Sequence, residues 1–186
     1  GKHVRALISD FTDTNRQSPL YISLGIGLSR GDRMDWVIQK ATEVGVAAIT
    51  PLFTARSEVR LKGDRADKKI QHWRKIAINA CEQCYRNIPP IINAPTSPDL
   101  WFHSLTTDKK LVLHHRGENT VTDLRNQRVD STALLIGPEG GLTDAEISSS
   151  LHTGFEPLTI GSRVLRTETA PIVAITLLQY LWGDFR

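Results

Sequence analysis

The chain reads as an α/β protein: a mostly parallel sheet with helices on both faces. Strand-like apolar runs alternate along it with stretches of helical spacing, the order from which crossover connections build a parallel sheet. Two glycine-bearing turns lie in the last third, Leu134-Leu135-Ile136-Gly137-Pro138-Glu139-Gly140-Gly141 and Ile160-Gly161-Ser162-Arg163-Val164-Leu165-Arg166-Thr167-Glu168-Thr169. Each follows an apolar run and each leads into a helix, so a ligand could lie against backbone at two neighbouring strand ends. At 186 residues there is chain enough for one full domain with a sizeable core and a small appendage.

His3 to Asp10 alternates loosely and reads as a strand, and the polar stretch from Phe11 to Pro19 reads as a linker. A strand at the very start with no partner before it reads as a chain cut at a domain border. Leu20 to Leu28 is the first core strand. Gly31-Asp32 starts a helix with Asp32 as N-cap; Met34, Val37, Ile38, Ala41 and Val44 form its apolar stripe, and Gly45 stops it. Val46 to Phe53 is a strand whose Pro51 predicts an edge or a turn near its end.

After a basic loop, Thr54–Arg65, helical spacing resumes at Ile70, Trp73, Ala77, Ala80 and Cys84 and ends at Asn87-Ile88-Pro89-Pro90. Leu111 to His114 and Ala133 to Ile136 are short strands. Thr143-Asp-Ala-Glu146 is a capping box, in which threonine hydroxyl and glutamate carboxylate each serve the other's amide. Gly154 closes that helix, Pro157 to Ile160 is a strand, and Thr169 or a neighbour caps a buried final helix, Ala170–Trp182.

Composition places the chain among soluble globular proteins, with 40% hydrophobic and 23% charged residues. No apolar run approaches the roughly 18–20 residues that span a bilayer, and the start carries no signal-peptide pattern. Two cysteines make no disulfide framework, which predicts a reducing cytoplasm. Charge is uneven: residues 1–92 hold 15 Lys/Arg against 9 Asp/Glu, and residues 93–186 hold 8 against 11. Between 56 and 75 there are eight basic residues and three acidic. Such a half suits a phosphate-bearing partner, which would meet Arg56, Arg60, Lys62, Arg74 and Arg86. A solvated lysine-rich helix face accounts for the same charge.

Familiar nucleotide signatures are missing. No Gly-x-x-x-x-Gly-Lys-[Ser/Thr] loop occurs, and no Gly-x-Gly-x-x-Gly follows the first strand. Cys81 and Cys84 sit inside a helix near its end, where packing explains them better than redox chemistry, and no second pair completes a zinc site. His114 and His115, adjacent on a strand, point to opposite faces and share no metal; no metal site is expected. Arg86 could meet a phosphate or base edge, or serve as a cation against the helix dipole.

At these residues the chain resembles the bacterial 16S ribosomal RNA (uracil-N3) methyltransferases of the SPOUT class. The matching segments are Gln39–Val46, Pro51–Val59, Ala80–Arg86, Ile136–Gly141 and Ile160–Thr169, so the likeness runs from about Leu20 to the end. The resemblance implies a C-terminal trefoil knot, bent S-adenosylmethionine bound in it, and a homodimer with sites at the subunit junction. It also implies that residues 1–18 are the remnant of an N-terminal PUA-like domain with its linker, and that 19–186 form the methyltransferase domain. The cofactor cradle carried over is Ile136, Gly137, Pro138, Gly140 and Gly141, then Ile160, Gly161, Val164, Leu165, Arg166 and Thr169, with Leu113 and His114 as a third wall.

The implied partner is 16S rRNA or the small ribosomal subunit, and the implied reaction needs an in-line nucleophile rather than a metal. Uracil N3 must lose a proton, and the anion spread over O2 and O4 must be steadied. Arg166 and Arg86 are expected to orient the uracil or its phosphate, with Glu139 or Glu168 as proton acceptor. Two rivals share these features: a SPOUT methyltransferase acting on another RNA position such as a tRNA ribose, and a noncatalytic RNA-binding module using Thr54–Lys75.

Overall fold

A computed structural model describes residues 3–59, 61, 63–114, 117 and 119–185. Seven strands form one sheet: β1 (Tyr21–Gly27), β2 (Ala48–Leu52), β3 (Ile91–Ile92), β4 (Lys109–Leu113), β5 (Asn119–Thr120), β6 (Ser131–Ile136) and β7 (Glu156–Thr159). Their spatial order is β3-β2-β1-β6-β4-β7-β5, and every strand pairing among the described residues is parallel. Among the described residues five α-helices accompany them: α1 (Arg33–Glu43), α2 (Asp64–Cys84), α3 (Pro98–Ser104), α4 (Asp144–His152) and α5 (Thr169–Trp182). The expected α/β class, with helices on both faces, is borne out.

One face of the sheet buries Ile22, Leu24, Ile26, Leu134 and Ile136 against Met34, Val37 and Ile38 of α1, Trp73 and Ala77 of α2, and Ala174, Ile175 and Leu178 of α5. The other face buries Val112, Ala133 and Leu135 with Trp101 and Phe102 of α3 and with Phe155. Strands covered twice lose the apolar/polar alternation, which is why β6 reads as an uninterrupted Ala-Leu-Leu-Ile run. On β1 the second face narrows to glycine toward the strand's carboxyl end: a Cβ at Gly25 would overlap the Trp101 ring.

Helix signals were legible to different degrees. The Thr143 capping box is present, Glu146 N–H donating to Thr143 Oγ1 at 3.2 Å while Glu146 Oε2 accepts from the Thr143 amide at 2.8 Å. Gly45 and Gly154 follow α1 and α4 at φ +91° and +88°, conformations that L side chains rarely adopt. Asp32 occupies the N-cap of α1, but with no hydrogen bond from its side chain. α2 ends before the expected prolines, at Tyr85, whose φ of 59° is left-handed. Glu168 holds the N-cap of α5, and Thr169 is its first residue.

One expectation is corrected, and one pair of alternatives is decided. His3 to Asp10 forms no strand: no neighbouring strand receives it, and Leu7 is 98% exposed. Pro51 does stand near the end of its strand, since β2 stops one residue later at Leu52 and the chain turns at 54–57, but it marks no sheet edge, because β2 lies between β1 and β3. Its carbonyl accepts from Thr96 on the β3 side, so the amide it lacks faces where β3 has already ended at Ile92.

Candidate active site

The strand order reverses between β1 and β6: the chain builds outward through β2 and β3 on one side, and through β4, β7 and β5 on the other. Ligands of open α/β sheets bind beyond the carboxyl ends of strands near such a reversal. A cleft of about 670 Å³ opens there. Its walls are the segments leaving β6 (Ile136–Leu142), β4 (Leu113, His114) and β7 (Leu158–Gly161, Arg163–Glu168), closed by Arg33 after β1 and by Arg56 after β2.

Glycine shapes the first turn. Gly141, at φ +71°, donates its amide to Pro138 O at 2.8 Å, and a Cβ on Gly137 would stand 2.8 Å from the Leu142 nitrogen. The chain therefore doubles back tightly and presents main chain to the cleft. At Gly161, φ is +64° and a Cβ would meet nothing within 4 Å, so that turn needs glycine for its backbone conformation. The third wall is fixed by the His114 amide on Leu158 O at 3.0 Å and by Thr159 Oγ1 on His114 O at 2.9 Å.

Charge in the cleft is partly spent on internal pairing. Arg33 Nη1 lies 2.7 Å from Glu139 Oε1, and Arg33 Nε lies 3.9 Å from Glu168 Oε2, so one guanidinium bridges carboxylates from both turns. Burial alone would raise the Glu139 carboxyl. Its own amide, the Arg33 side chain and the Arg30 amide outweigh that and hold it below its ordinary value. Arg163 and Arg166 line the cleft with exposed guanidinium groups that make no hydrogen bond or ion pair among the described residues.

Of the residues expected from sequence to cradle a cofactor, all but Thr169 line this cleft. Arg166 and Glu139 are there too. Arg86 is not: Nη1 donates to Thr42 O at 2.7 Å and Nη2 to Gln17 Oε1 at 2.7 Å, tying the end of α2 to α1 and to the segment before β1. Within one chain those bonds hold the guanidinium away from this cleft, so its expected part in orienting the uracil or its phosphate is not met by the cleft of its own chain. Arg56 turns into the cleft, while Arg74 Nη2 reaches Ile92 O at 3.5 Å beside β3. Arg60 and Lys62 lie outside the described residues. The expectation of opposed His114 and His115 also falls partly there, since His115 is undescribed.

Sequence reasoning missed Arg33. It lies on the polar side of α1, and only the reversal of strand order carries the start of α1 to the turn after β6. The position after the first strand of an α/β sheet was the one available signal.

The site thus defines a class: a ligand-binding α/β domain with main-chain cradles and free cations at its strand ends, and the RNA methyltransferase domain model matches residues 16–179. The chain is 41% identical over 173 residues to the ribosomal RNA small subunit methyltransferase E of Buchnera aphidicola subsp. Acyrthosiphon pisum, covering 92% of this chain and 68% of that one. It belongs to the ribosomal RNA small subunit methyltransferase E family.

A solved member of that name from Neisseria gonorrhoeae, bound to S-adenosyl methionine, is 39% identical with a TM-score of 0.88, over 94% of this chain and 72% of that one. A Legionella pneumophila structure in complex with SAM is 44% identical with a TM-score of 0.89, over 93% and 71%.

Proposed function

We propose that this chain is an S-adenosylmethionine-dependent methyltransferase that methylates N3 of a uridine in 16S rRNA of the small ribosomal subunit. The observation that carries it is the convergence of both glycine turns on one cleft whose rim holds two uncommitted arginines. A volume of about 670 Å³ with an apolar floor of Leu113, Ile136, Leu158 and Ile160 suits an adenosyl-sized ligand. The family name and the two SAM-bound relatives support the same reading.

Bound there, S-adenosylmethionine supplies an electrophilic methyl group. The residues of this chain do the rest. Exposed main chain at Gly137–Gly141 and at Ile160–Gly161 offers amides and carbonyls to the ligand's polar edges. Arg166, with Arg163 beside it, donates hydrogen bonds toward the oxygens on which negative charge grows as N3 loses its proton. Glu139 is pinned by Arg33 and held acidic, which makes it a poor proton acceptor. Glu168, 3.9 Å from Arg33, is the better one. Apolar walls and positioning supply the remaining advantage, so no metal is required.

The enzyme acts as a homodimer in the cytoplasm, with a C-terminal SPOUT trefoil knot whose core is α5. In support of the dimer, α5 leaves Ile172, Val173 and Leu177 half-buried and Tyr180 54% exposed along one side. Residues 19–186 are the methyltransferase domain, and 1–18 are a linker with the remnant of a PUA-like domain. In support of that border, Val4, Leu7, Ile8 and Phe11 are all more than 80% exposed, whereas the core begins at Leu20.

Incubating the chain with small ribosomal subunits and labelled S-adenosylmethionine, then mapping the product by mass spectrometry, tests the assignment. A methyl group on uridine N3 of 16S rRNA is expected. Label on a ribose, or in tRNA only, would replace this reading by its nearest rival.

A further inference from the structure

Arg56 belongs by composition to the basic loop that was expected to face RNA, yet its guanidinium is turned inward. Nη1 donates to Gly140 O at 2.8 Å and approaches Leu142 O at 3.4 Å. Its alkyl stem lies across the same turn: a Cβ on Gly140 would stand 3.2 Å from Arg56 Cβ and 3.3 Å from Cδ. One residue earlier, the Ala55 amide donates to Glu146 Oε1 at 2.7 Å, while Oε2 of that carboxylate completes the Thr143 capping box. The loop is itself closed by Ser57 N–H on Thr54 O at 3.1 Å and by the Thr54 and Ser57 hydroxyls 2.7 Å apart. It thus grips both the Pro138–Gly141 turn and the start of α4.

We propose that Arg56 is a positioning residue of the cofactor cradle, holding the Gly137–Gly141 turn in its binding conformation. The inference rests on the reading of this cleft as the S-adenosylmethionine site.

The physical reason lies in the turn's composition. Three glycines in five residues give it wide conformational freedom, and among the described residues its own backbone closure is the Gly141-to-Pro138 hydrogen bond. A ligand that binds main chain must meet that chain already ordered, or lose affinity in ordering it. Arg56 fixes the carbonyls that would otherwise swing with Gly140. Both carbonyls meet one nitrogen, Nη1, held in place by a planar guanidinium, whereas the lysine ammonium is a strongly hydrated point charge on a flexible stem.

The test is calorimetric titration of S-adenosylmethionine into the whole chain with no RNA present, together with hydrogen exchange of the ligand-free protein. A residue whose only partner is RNA leaves both readings unchanged. R56A is expected to weaken binding roughly five- to tenfold, the scale of losing a charged hydrogen bond at an exposed site, and R56K to fall between R56A and wild type. Amides of residues 137 and 139–142 should exchange faster in both variants, with core strands unaffected.

Wild-type affinity and wild-type exchange in R56A would overturn the proposal. If R56A melts far below wild type, R56K, which keeps stem and charge, decides instead, and wild-type affinity in R56K is then the contradicting result. Absence of binding by the wild-type chain would overturn the reading of the cleft itself, and the inference with it.

Discussion

Arg166 and Glu139 were both singled out on the same glycine turns, yet their surroundings separate them. The Arg166 guanidinium makes no hydrogen bond or ion pair among the described residues, so its donors are available to a substrate anion. Arg166→Ala should lower methylation on the order of a hundredfold or more while leaving the melting temperature within about 2 °C. Steady-state rates alongside a thermal melt check both halves. Glu139 is bonded to Arg33, and Glu168 stands farther off. Glu139→Gln should therefore retain activity within about tenfold, whereas Glu168→Gln should lose on the order of 10²–10⁴. Equal losses in the two variants would hand the proton to Glu139.

At this scale the sequence was informative where one residue type implies one geometry. Gly141 and Gly161 announce backbone that L side chains rarely adopt, and both lie in the cleft. Arginines announce nothing so definite. Arg56 and Arg86 each belong to a basic or polar stretch, and where their guanidinium groups point depends on carbonyls 84 and 44 residues away in sequence.

Between elements, the α1–α2 contact depends on Asp35. Its carboxylate accepts from Lys69 Nζ at 2.9 Å and Trp73 Nε1 at 2.9 Å, and it pairs with His72 Nε2 at 2.6 Å. Burial would raise its pKa, but hydrogen bonds from His72, Lys69 and Trp73, with the Lys69 charge, lower it below the ordinary value. Asp35→Ala leaves the buried indole N–H without its acceptor and should destabilise by about 1–3 kcal/mol in denaturant melts.

The pH dependence follows from that direction of shift. The folded carboxyl is the stronger acid, so its contribution is complete above the unfolded value and disappears as pH falls through the lower, folded one. The difference in stability between wild type and Asp35→Asn should accordingly be largest near neutrality and shrink on acidification below the usual carboxylate range. A difference that persisted undiminished into strong acid would refute the assignment.

A second tie closes the far end of α1. Gln179 of α5, fully buried, donates to Val44 O and Gly45 O at 3.2 Å each and accepts from Ser18 Oγ at 2.6 Å. Elements with a full period or a capping signal, such as α1, α2, α4 and α5, were readable, and so were the apolar strands β4, β6 and β7; the shortest were not. β3 and β5 have two residues each, too few for any alternation to register. α3 spans only two turns, although Ser97 followed by Pro98 is an N-cap and first-turn signal that identifies its start.

For the whole molecule, the class was legible but the order β3-β2-β1-β6-β4-β7-β5 was not. Local patterns say that a strand exists; its neighbours are chosen by long-range packing that no single window contains. The proposed dimer belongs to this scale. Tyr180→Asp combined with Leu177→Asp should convert a sedimenting dimer to monomer, because charge on a closed apolar interface is costly to bury. A wild-type chain that sediments as a monomer at micromolar concentration would remove the dimer from the account.

A crystal of this chain grown with S-adenosylmethionine decides whether the cleft is the donor site. The ligand should lie against residues 137–141 and 160–167, with its methyl group facing Arg166. Density at another surface, with both turns bare, would contradict it.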